Sequence, residues 1–263
     1  MEGTSKNLVN SIARAVKIME LLAEKRQLGI SELARATGWK KTTVARIVQS
    51  LHRTGLVEQD QESRKFSLSL KLFELGCRVA GTLEIRQRAR KHIEEFVQRQ
   101  QLAVLLAVLS GGEVVYIDKA EPDGSGYSIK TPVGSRAPVH CTASGKALLA
   151  FLGEKERQAQ LGATTLASYT EQSITDAALL EQDLAATRAR GFSIDWEERL
   201  PGVCAVGAPI FDYTNRVVAS VSCPMLTATC PRERIAEYGM KVAELAKRIS
   251  FSMGYQKADR QQA

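Results

Sequence analysis

The sequence predicts an α+β protein in two parts, an N-terminal winged helix-turn-helix followed by a helical linker into a larger α+β domain. Three observations carry this. Apolar residues recur at three- and four-residue steps through the N-terminal segment, punctuated by Gly29, Gly38 and Gly55. Basic charge gathers in the same segment: residues 1–80 hold 14 Lys/Arg against 8 Asp/Glu, whereas residues 81–263 hold 22 against 21. Past Leu102 the pattern changes to short apolar runs, which read as buried strands with helices at both ends.

Val9 to Glu24 reads as an amphipathic helix with Ile12, Ala15, Val16, Met19 and Leu22 on one face. Ser31 is expected to cap a second, short helix, Glu32 to Ala36. Thr37-Gly38-Trp39 then turns the chain into a third helix, Lys40 to Arg53, closed by Thr54-Gly55. Two short strands follow, Leu56 to Gln59 and Lys65 to Leu68, around a turn at Asp60–Arg64. Helices at Leu70–Val79 and Leu83–Gln100 place a helical linker near Gly76–Gly81. The larger domain shows strands at 102–109, 113–119, 203–211 and 217–223, with a turn at Tyr213–Arg216. Its helices are read at Thr142–Phe151, about 154–161, 175–190 and Arg232–Ser252. The domain boundaries are drawn at 8–70, 71–81 and 82–255.

Composition excludes several classes of protein. With 44% hydrophobic and 25% charged residues in 263, the chain is not disordered overall. Its longest apolar run, Leu102 to Leu109, falls far short of the ~20 residues of a membrane span. Met1 to Asn10 is polar and carries no apolar signal core. Five cysteines without framework spacing suggest reduced thiols in the cytoplasm.

Residues 31–50 carry the clearest motif. Ala34 is small where two helices must approach, Gly38 follows four residues later at the turn, and Val44 and Ile47 plug the next helix into the core. A strand–turn–strand with Arg64 and Lys65 near its tip completes a winged helix, and the local positive charge points to double-stranded DNA. On the second helix, Lys40 and Lys41 suit phosphates, while Thr42, Thr43 and Arg46 leave the early turns towards base edges. Arg64 and Lys65 suit phosphate or minor-groove contacts. Trp39 reads as a hydrophobic lid.

In the larger domain, Thr142-Ala143-Ser144-Gly145-Lys146 is a small-residue run opening a helix, so its backbone donors are free to meet a carboxylate or phosphate. The spacing is not that of a nucleotide-binding P-loop. Tight helix packing accounts for the same residues equally well.

Ser11-Ile12-Ala13-Arg14-Ala15, Ile30-Ser31-Glu32-Leu33-Ala34 and Lys41-Thr42-Thr43-Val44-Ala45-Arg46-Ile47 closely resemble the start of IclR-type bacterial transcriptional regulators. The resemblance continues through Tyr116-Ile117-Asp118, His140 to Ala147, Arg190-Gly191-Phe192, Gly202-Val203 and Ala208-Pro209, over roughly residues 8–255. It implies a GAF-like C-terminal domain that binds a small effector, and dimers or tetramers on operator DNA. It also implies an effector carboxylate at Ala143, Ser144 and Gly145, with Asp195, Ala205 and Ser222 in the pocket. Ala205 stands where many members have Cys, Cys204 where many have Arg, and Pro224 where a second Ser is common. These departures point to a less polar or aromatic organic acid, with Ile129, Cys223 and Met225 as apolar walls, and Asp195, able to accept from a ligand hydroxyl, favours a hydroxylated acid over a diacid.

The alternatives are thiol chemistry and metal binding. His140-Cys141 suggests a thiol nucleophile, but neighbours in an extended segment face opposite ways and no third orienting group is defined. A redox sensor built on Cys141 or Cys230 is the alternative regulator, and a Cys-dependent enzyme the weaker one. Cys204, Cys223, Cys230 and His140 lack metal-ligand spacing. No catalysis, metal or cofactor is expected, and the chain is read as a cytoplasmic, effector-controlled regulator without a membrane partner.

Overall fold

The computed structural model describes residues 10–82, 84–124, 131–162 and 164–256, the side chains of 77–82 excepted. The chain falls into two compact units, Met1–Thr82 and Leu83–Ala263. Among the described residues no helix is long and apolar enough to cross a membrane.

The first unit contains α1 (Asn10–Lys25), α2 (Ile30–Thr37), α3 (Lys41–Arg53), β1 (Val57–Gln59), β2 (Phe66–Leu68) and α4 (Leu70–Thr82). α1 carries two apolar faces, and the core takes the one with Ile18 and Leu22, leaving Ile12 and Val16 63% and 44% exposed. Of the expected face, Leu22 lies in the core and Ala15 and Met19 pack against it, while Ile12 and Val16 do not. α2 also starts earlier than expected. Its cap is Gly29, not Ser31, because the Glu32 carboxylate accepts from the Gly29 N–H at 2.7 Å and draws the first turn up to Ile30. Gly38 closes α2 at φ 72°, the left-handed turn that lets α3 leave steeply. Val44, Val48 and Leu51 of α3 join Leu33, Val57 and Phe66 in the core; Ile47 packs only at its margin. β1 and β2 pair antiparallel, Val57 with Leu68 and Gln59 with Phe66, and Leu28 bridges to Phe66 on the other side.

The second unit contains α5 (Glu84–Gln100), β3 (Val104–Ser110), β4 (Glu113–Ala120), β5 (Arg136–Pro138), α6 (Ala143–Phe151), α7 (Glu154–Gly162) and α8 (Ala177–Arg190). It continues with β6 (Ser193–Trp196), β7 (Val203–Phe211), β8 (Val217–Leu226) and, after a 3-10 turn at Arg232–Arg234, α9 (Ile235–Ser252). The sheet is antiparallel in the order β5-β4-β3-β8-β7-β6. Its two edge strands, β5 and β6, have three and four residues, too short for the sequence pattern to display them.

The sheet is covered on both faces, and strand alternation decides which residue meets which layer. Val104 and Leu106 of β3, Cys204, Val206, Ala208 and Ile210 of β7, and Val221, Cys223 and Met225 of β8 pack with α5 and α9. Leu105 and Ala107 pack with Leu148 and Leu149 of α6 and with Leu180 and Leu184 of α8. Positions 105, 205, 222 and 224 therefore belong to the α6 side.

Candidate functional site

In the first unit, α3 buries Val44, Val48 and Leu51 and so exposes Thr42, Arg46, Gln49 and Arg53 along the opposite stripe. Lys40 precedes the helix in extended conformation and no side chain caps it. Its carbonyl takes the N–H groups of Thr43 and Val44 at 2.9 and 3.1 Å, so the amides of Lys41 and Thr42 remain open at the positive end of the helix dipole. Lys40, Lys41, Arg46 and Arg64 have no ion-pair partner among the described residues. Lys65 does: it folds back to Glu32 of α2 at 3.3 Å. Arg64 sits at φ 58° where the wing turn closes, fixed by Asp60, which accepts from Ser63 N–H at 2.7 Å.

Arg14 of α1 belongs to this surface too, although no local spacing in the sequence marks it. Its guanidinium lies 5.3 Å from the Trp39 ring centre. With Ser11 it lines a groove opposite Thr43 and Arg46. Trp39 is thus a lid on the core that also seats a cation.

In the second unit a small cavity lies between the first turn of α6 and the sheet. Thr142, Ala143 and Ser144 line it from above, Leu105, Tyr116, Asp195, Ala205, Ser222 and Pro224 from the strands, and Arg199 and Leu200 from the corner after β6. Thr142 caps α6, its hydroxyl accepting from Gly145 N–H at 3.2 Å, which leaves the amides of Ala143 and Ser144 open. Ser144 and Ser222 share a hydrogen bond of 2.7 Å. The helix can sit this close because Gly207 lies beneath Ala143: a Cβ there would meet the Ala143 carbonyl at 2.6 Å. Ser193 donates to that same carbonyl at 2.6 Å.

Ala143, Ser144, Asp195, Ala205 and Ser222 thus converge on one cavity. Gly145 does not line it. Its missing Cβ makes room for the Val139 backbone, which a side chain would meet at 2.3 Å. Cys223 and Met225 are not walls of it either, because strand alternation sends them to the α5/α9 face. Ile129 lies outside the described residues. Arg199 and Tyr116 escaped the sequence reading, since no local spacing marks a residue whose role comes from the far side of a sheet.

Lys146, one turn beyond Ser144, is only 1% exposed and points away from the cavity to Glu198 at 2.5 Å and Asp183 at 2.9 Å. Burial alone would depress its ammonium; the two carboxylates outweigh this and hold it protonated. Burial raises Glu198 in spite of Lys146. Burial and then Glu198 raise Asp195 to about 7, although the backbone N–H groups of Glu198 and Arg199 point at it. The chain reaches this arrangement through Glu197, held in left-handed conformation at φ 58°.

The thiols of Cys141, Cys204 and Cys223 are poor nucleophiles. Burial pushes Cys141 and Cys204 to about 12 and Cys223 higher still. The His140 Nε2 is engaged by the Ala167 carbonyl at 3.0 Å. Residues 139–142 form a bend rather than a strand, so the basis for separating His140 from Cys141 differs from the one expected. No cluster of three metal-ligating side chains occurs among the described residues.

Two family models cover the chain: the IclR helix-turn-helix domain matches residues 11–61 and the C-terminal domain of the bacterial transcriptional regulator IclR matches residues 77–251. The HTH-type transcriptional regulator XynR of Escherichia coli K12 is 32% identical over 249 residues, 94% of this chain and 98% of that protein. A solved IclR transcriptional regulator from Alicyclobacillus acidocaldarius superposes with a TM-score of 0.80 at 31% identity, over 94% of this chain and 99% of its own. An IclR homolog from Microbacterium hydrocarbonoxydans, solved in complex with 4-hydroxybenzoate, gives 0.79 at 25% identity over 92% and 98%. A winged helix-turn-helix joined to an α+β domain of this topology, matched along its length in both sequence and structure, makes this chain a member of the IclR family of bacterial transcriptional regulators.

Proposed function

We propose that the protein is a cytoplasmic repressor or activator whose residues 8–70 read operator DNA and whose residues 82–255 hold a small organic acid, joined by a linker at 71–81. Lys40, Lys41 and Arg64 meet phosphates, Thr42, Thr43 and Arg46 meet base edges, and Lys65, tied to Glu32, contributes least. The observation that carries the effector half is the cavity under α6, where open helix-end amides face Ser222 and Asp195 from the sheet. The 4-hydroxybenzoate held by the Microbacterium relative supports an acid with a hydroxyl. Asp195 then takes the hydroxyl and the α6 amides the carboxylate.

A homodimer is favoured by apolar side chains left in solvent on α1 (Ile12, Val16) and on α4 (Leu70, Phe73, Leu75). It would bind a palindromic site with its two α3 helices one DNA turn apart. Burial holds the Cys141 and Cys204 thiols far above the ordinary thiol range in spite of Arg199 and Lys146 near Cys141, which speaks against a Cys-dependent enzyme and against thiol sensing. The test is thermal unfolding of the full chain with hydroxylated organic acids under reductant, beside operator gel shifts. At 100 times Kd a ligand adds about 2.7 kcal/mol of stability. A response to mild oxidant with none to acids would overturn the assignment.

A further inference from the structure

The cavity under α6 is smaller than the ligand class assigned to it. Its volume is about 60 Å³. A water molecule takes up about 30 Å³ of liquid, and organic-ligand pockets begin near 300 Å³. Some wall must therefore yield when an acid enters.

Most of the walls are fixed. Ser144, Asp195, Ala205 and Ser222 are all buried, pinned by strand pairing (Asp195 to Ala205, Ala205 to Pro224, Leu105 to Ser222) and by the Ser144–Ser222 bond. The corner after β6 is different. Leu200 is 47% exposed, and Arg199 is half-buried with its guanidinium over the Tyr169 ring, 4.1 Å from the centre. Tyr169 belongs to a segment fastened to the same corner: Thr170 donates to the Glu197 carbonyl at 2.6 Å and Ser173 to the Glu198 carbonyl at 2.7 Å. The Arg199 side chain can thus leave its ring without unfolding the corner that carries it.

Charge makes the same residue necessary. Among the described residues, Asp195 and Arg199 are the charged side chains that line the cavity. Lys146, the nearest cation along α6, is held by Glu198 and Asp183 and does not serve. Arg199 has no carboxylate partner among the described residues, even with two acids close by in sequence: Glu198 is taken by Lys146, and Asp195 by backbone N–H groups. Without Arg199 an entering carboxylate would meet Asp195 and only partial positive charge from the helix end.

We propose that Arg199 is the counter-charge for the effector's carboxylate and, with Leu200, the wall that moves to admit it. This rests on the reading of the cavity as an organic-acid site and adds to it the residue that selects for the acid. A guanidinium fork suits a carboxylate in two-point contact, and Tyr169 presents it at the mouth.

Calorimetry on the full chain tests this, with 4-hydroxybenzoate and glycolate as acid probes and 4-hydroxybenzamide and glycolamide as their neutral counterparts. Arg199→Gln should weaken the acids at least tenfold, leave the amides within twofold, and preserve the unfolding midpoint and operator affinity of the ligand-free protein. Arg199→Lys should recover part of the loss. Equal acid binding by wild type and Arg199→Gln would overturn the counter-charge while leaving the cavity assignment standing. Equal losses for acids and amides would make Arg199 a merely steric wall and also overturn it. A wild-type protein that binds neither acid would overturn the organic-acid reading, and this inference with it.

Discussion

The hydroxyls of Ser144 and Ser222 lie 2.7 Å apart, one on the first turn of α6 and the other in the middle of β8, both out of solvent. Ser144 also hydrogen-bonds the Tyr116 side chain, so three hydroxyls link α6 to the sheet across the cavity. Ser222→Ala should cost about 1–2 kcal/mol by leaving the Ser144 hydroxyl short of a partner. Ser144→Ala with Ser222→Ala should cost less than the sum of the single changes. Urea unfolding of the four proteins measures the coupling, and strict additivity would show that the two hydroxyls do not interact.

Asp195 should give the protein a pH dependence of definite sign. Its folded-state pKa stands at about 7 against an ordinary 3.8. Burial and then Glu198 raise it; Lys146 and the backbone N–H groups of Glu198 and Arg199 pull it down, and the buried Cys141 and Tyr116 stand close by. Below about 4 the carboxyl is protonated in folded and unfolded chains alike. Between there and 7 only the folded chain keeps the proton, so the stability associated with it is full at low pH and declines as pH rises to 7. Asp195→Asn should flatten the unfolding midpoint between pH 5 and 7 relative to wild type. Wild type should lose acid affinity above pH 7, where an ionised Asp195 repels a carboxylate, and Asp195→Asn should abolish that loss. Parallel pH profiles for variant and wild type would refute both.

Lys146 should be structurally indispensable although it touches no proposed ligand. Lys146→Met fits the space but leaves Glu198 and Asp183 facing each other, and removing one partner of a buried ion pair costs about 3–5 kcal/mol. Adding Glu198→Gln should restore much of this, since Asp183 retains Arg190 at 3.4 Å. Chemical denaturation of the single and double variants decides it. A single variant as stable as wild type would mean that Lys146 is not the support of this corner.

The reach of the sequence followed the range of the forces involved. The helix-turn-helix was legible because it is local: Gly38 needs positive φ, and Val44 and Val48 sit one turn apart on α3. Ser31 misled because the cap at Gly29 comes from the Glu32 side chain reaching back, which the same letters allow in either register. The cavity was legible only in part. Ala143 and Ser144 announce themselves as a small-residue helix start, yet Arg199 reaches the same space through a corner set by one left-handed residue, Glu197. Cys223 and Met225 were placed on the wrong face because neighbours of Ser222 and Pro224 in sequence are their opposites across the sheet.

Arg46 should carry specificity. It lies on the exposed stripe of α3, unpaired among the described residues and one turn beyond Thr42. Arg46→Ala should weaken operator binding by about 1–3 kcal/mol, the worth of a bidentate base contact, and weaken random-sequence DNA much less. Gel shifts at one salt concentration compare the two, and equal losses would make Arg46 a phosphate contact.

The salt dependence of binding should count the phosphate contacts and separate the paired wing cation Lys65 from the unpaired cations. Lys40, Lys41 and Arg64 are exposed and unpaired among the described residues, giving six cations in a dimer. Each neutralised phosphate contributes about −0.9 to the slope of log K against log [salt], so the dimer should show a slope near −5. Lys41→Ala, which removes two contacts per dimer, should flatten it by about 2. Lys65→Ala should change it far less, because Lys65 is already engaged by Glu32 at 3.3 Å and would have to give up that partner to reach DNA. Fluorescence anisotropy of labelled operator between low and physiological salt yields all three slopes. A wild-type slope near zero would sink the assignment of this surface to DNA. A Lys65→Ala slope as shallow as that of Lys41→Ala would show that the Glu32 pair opens on binding and that the whole wing is part of the contact.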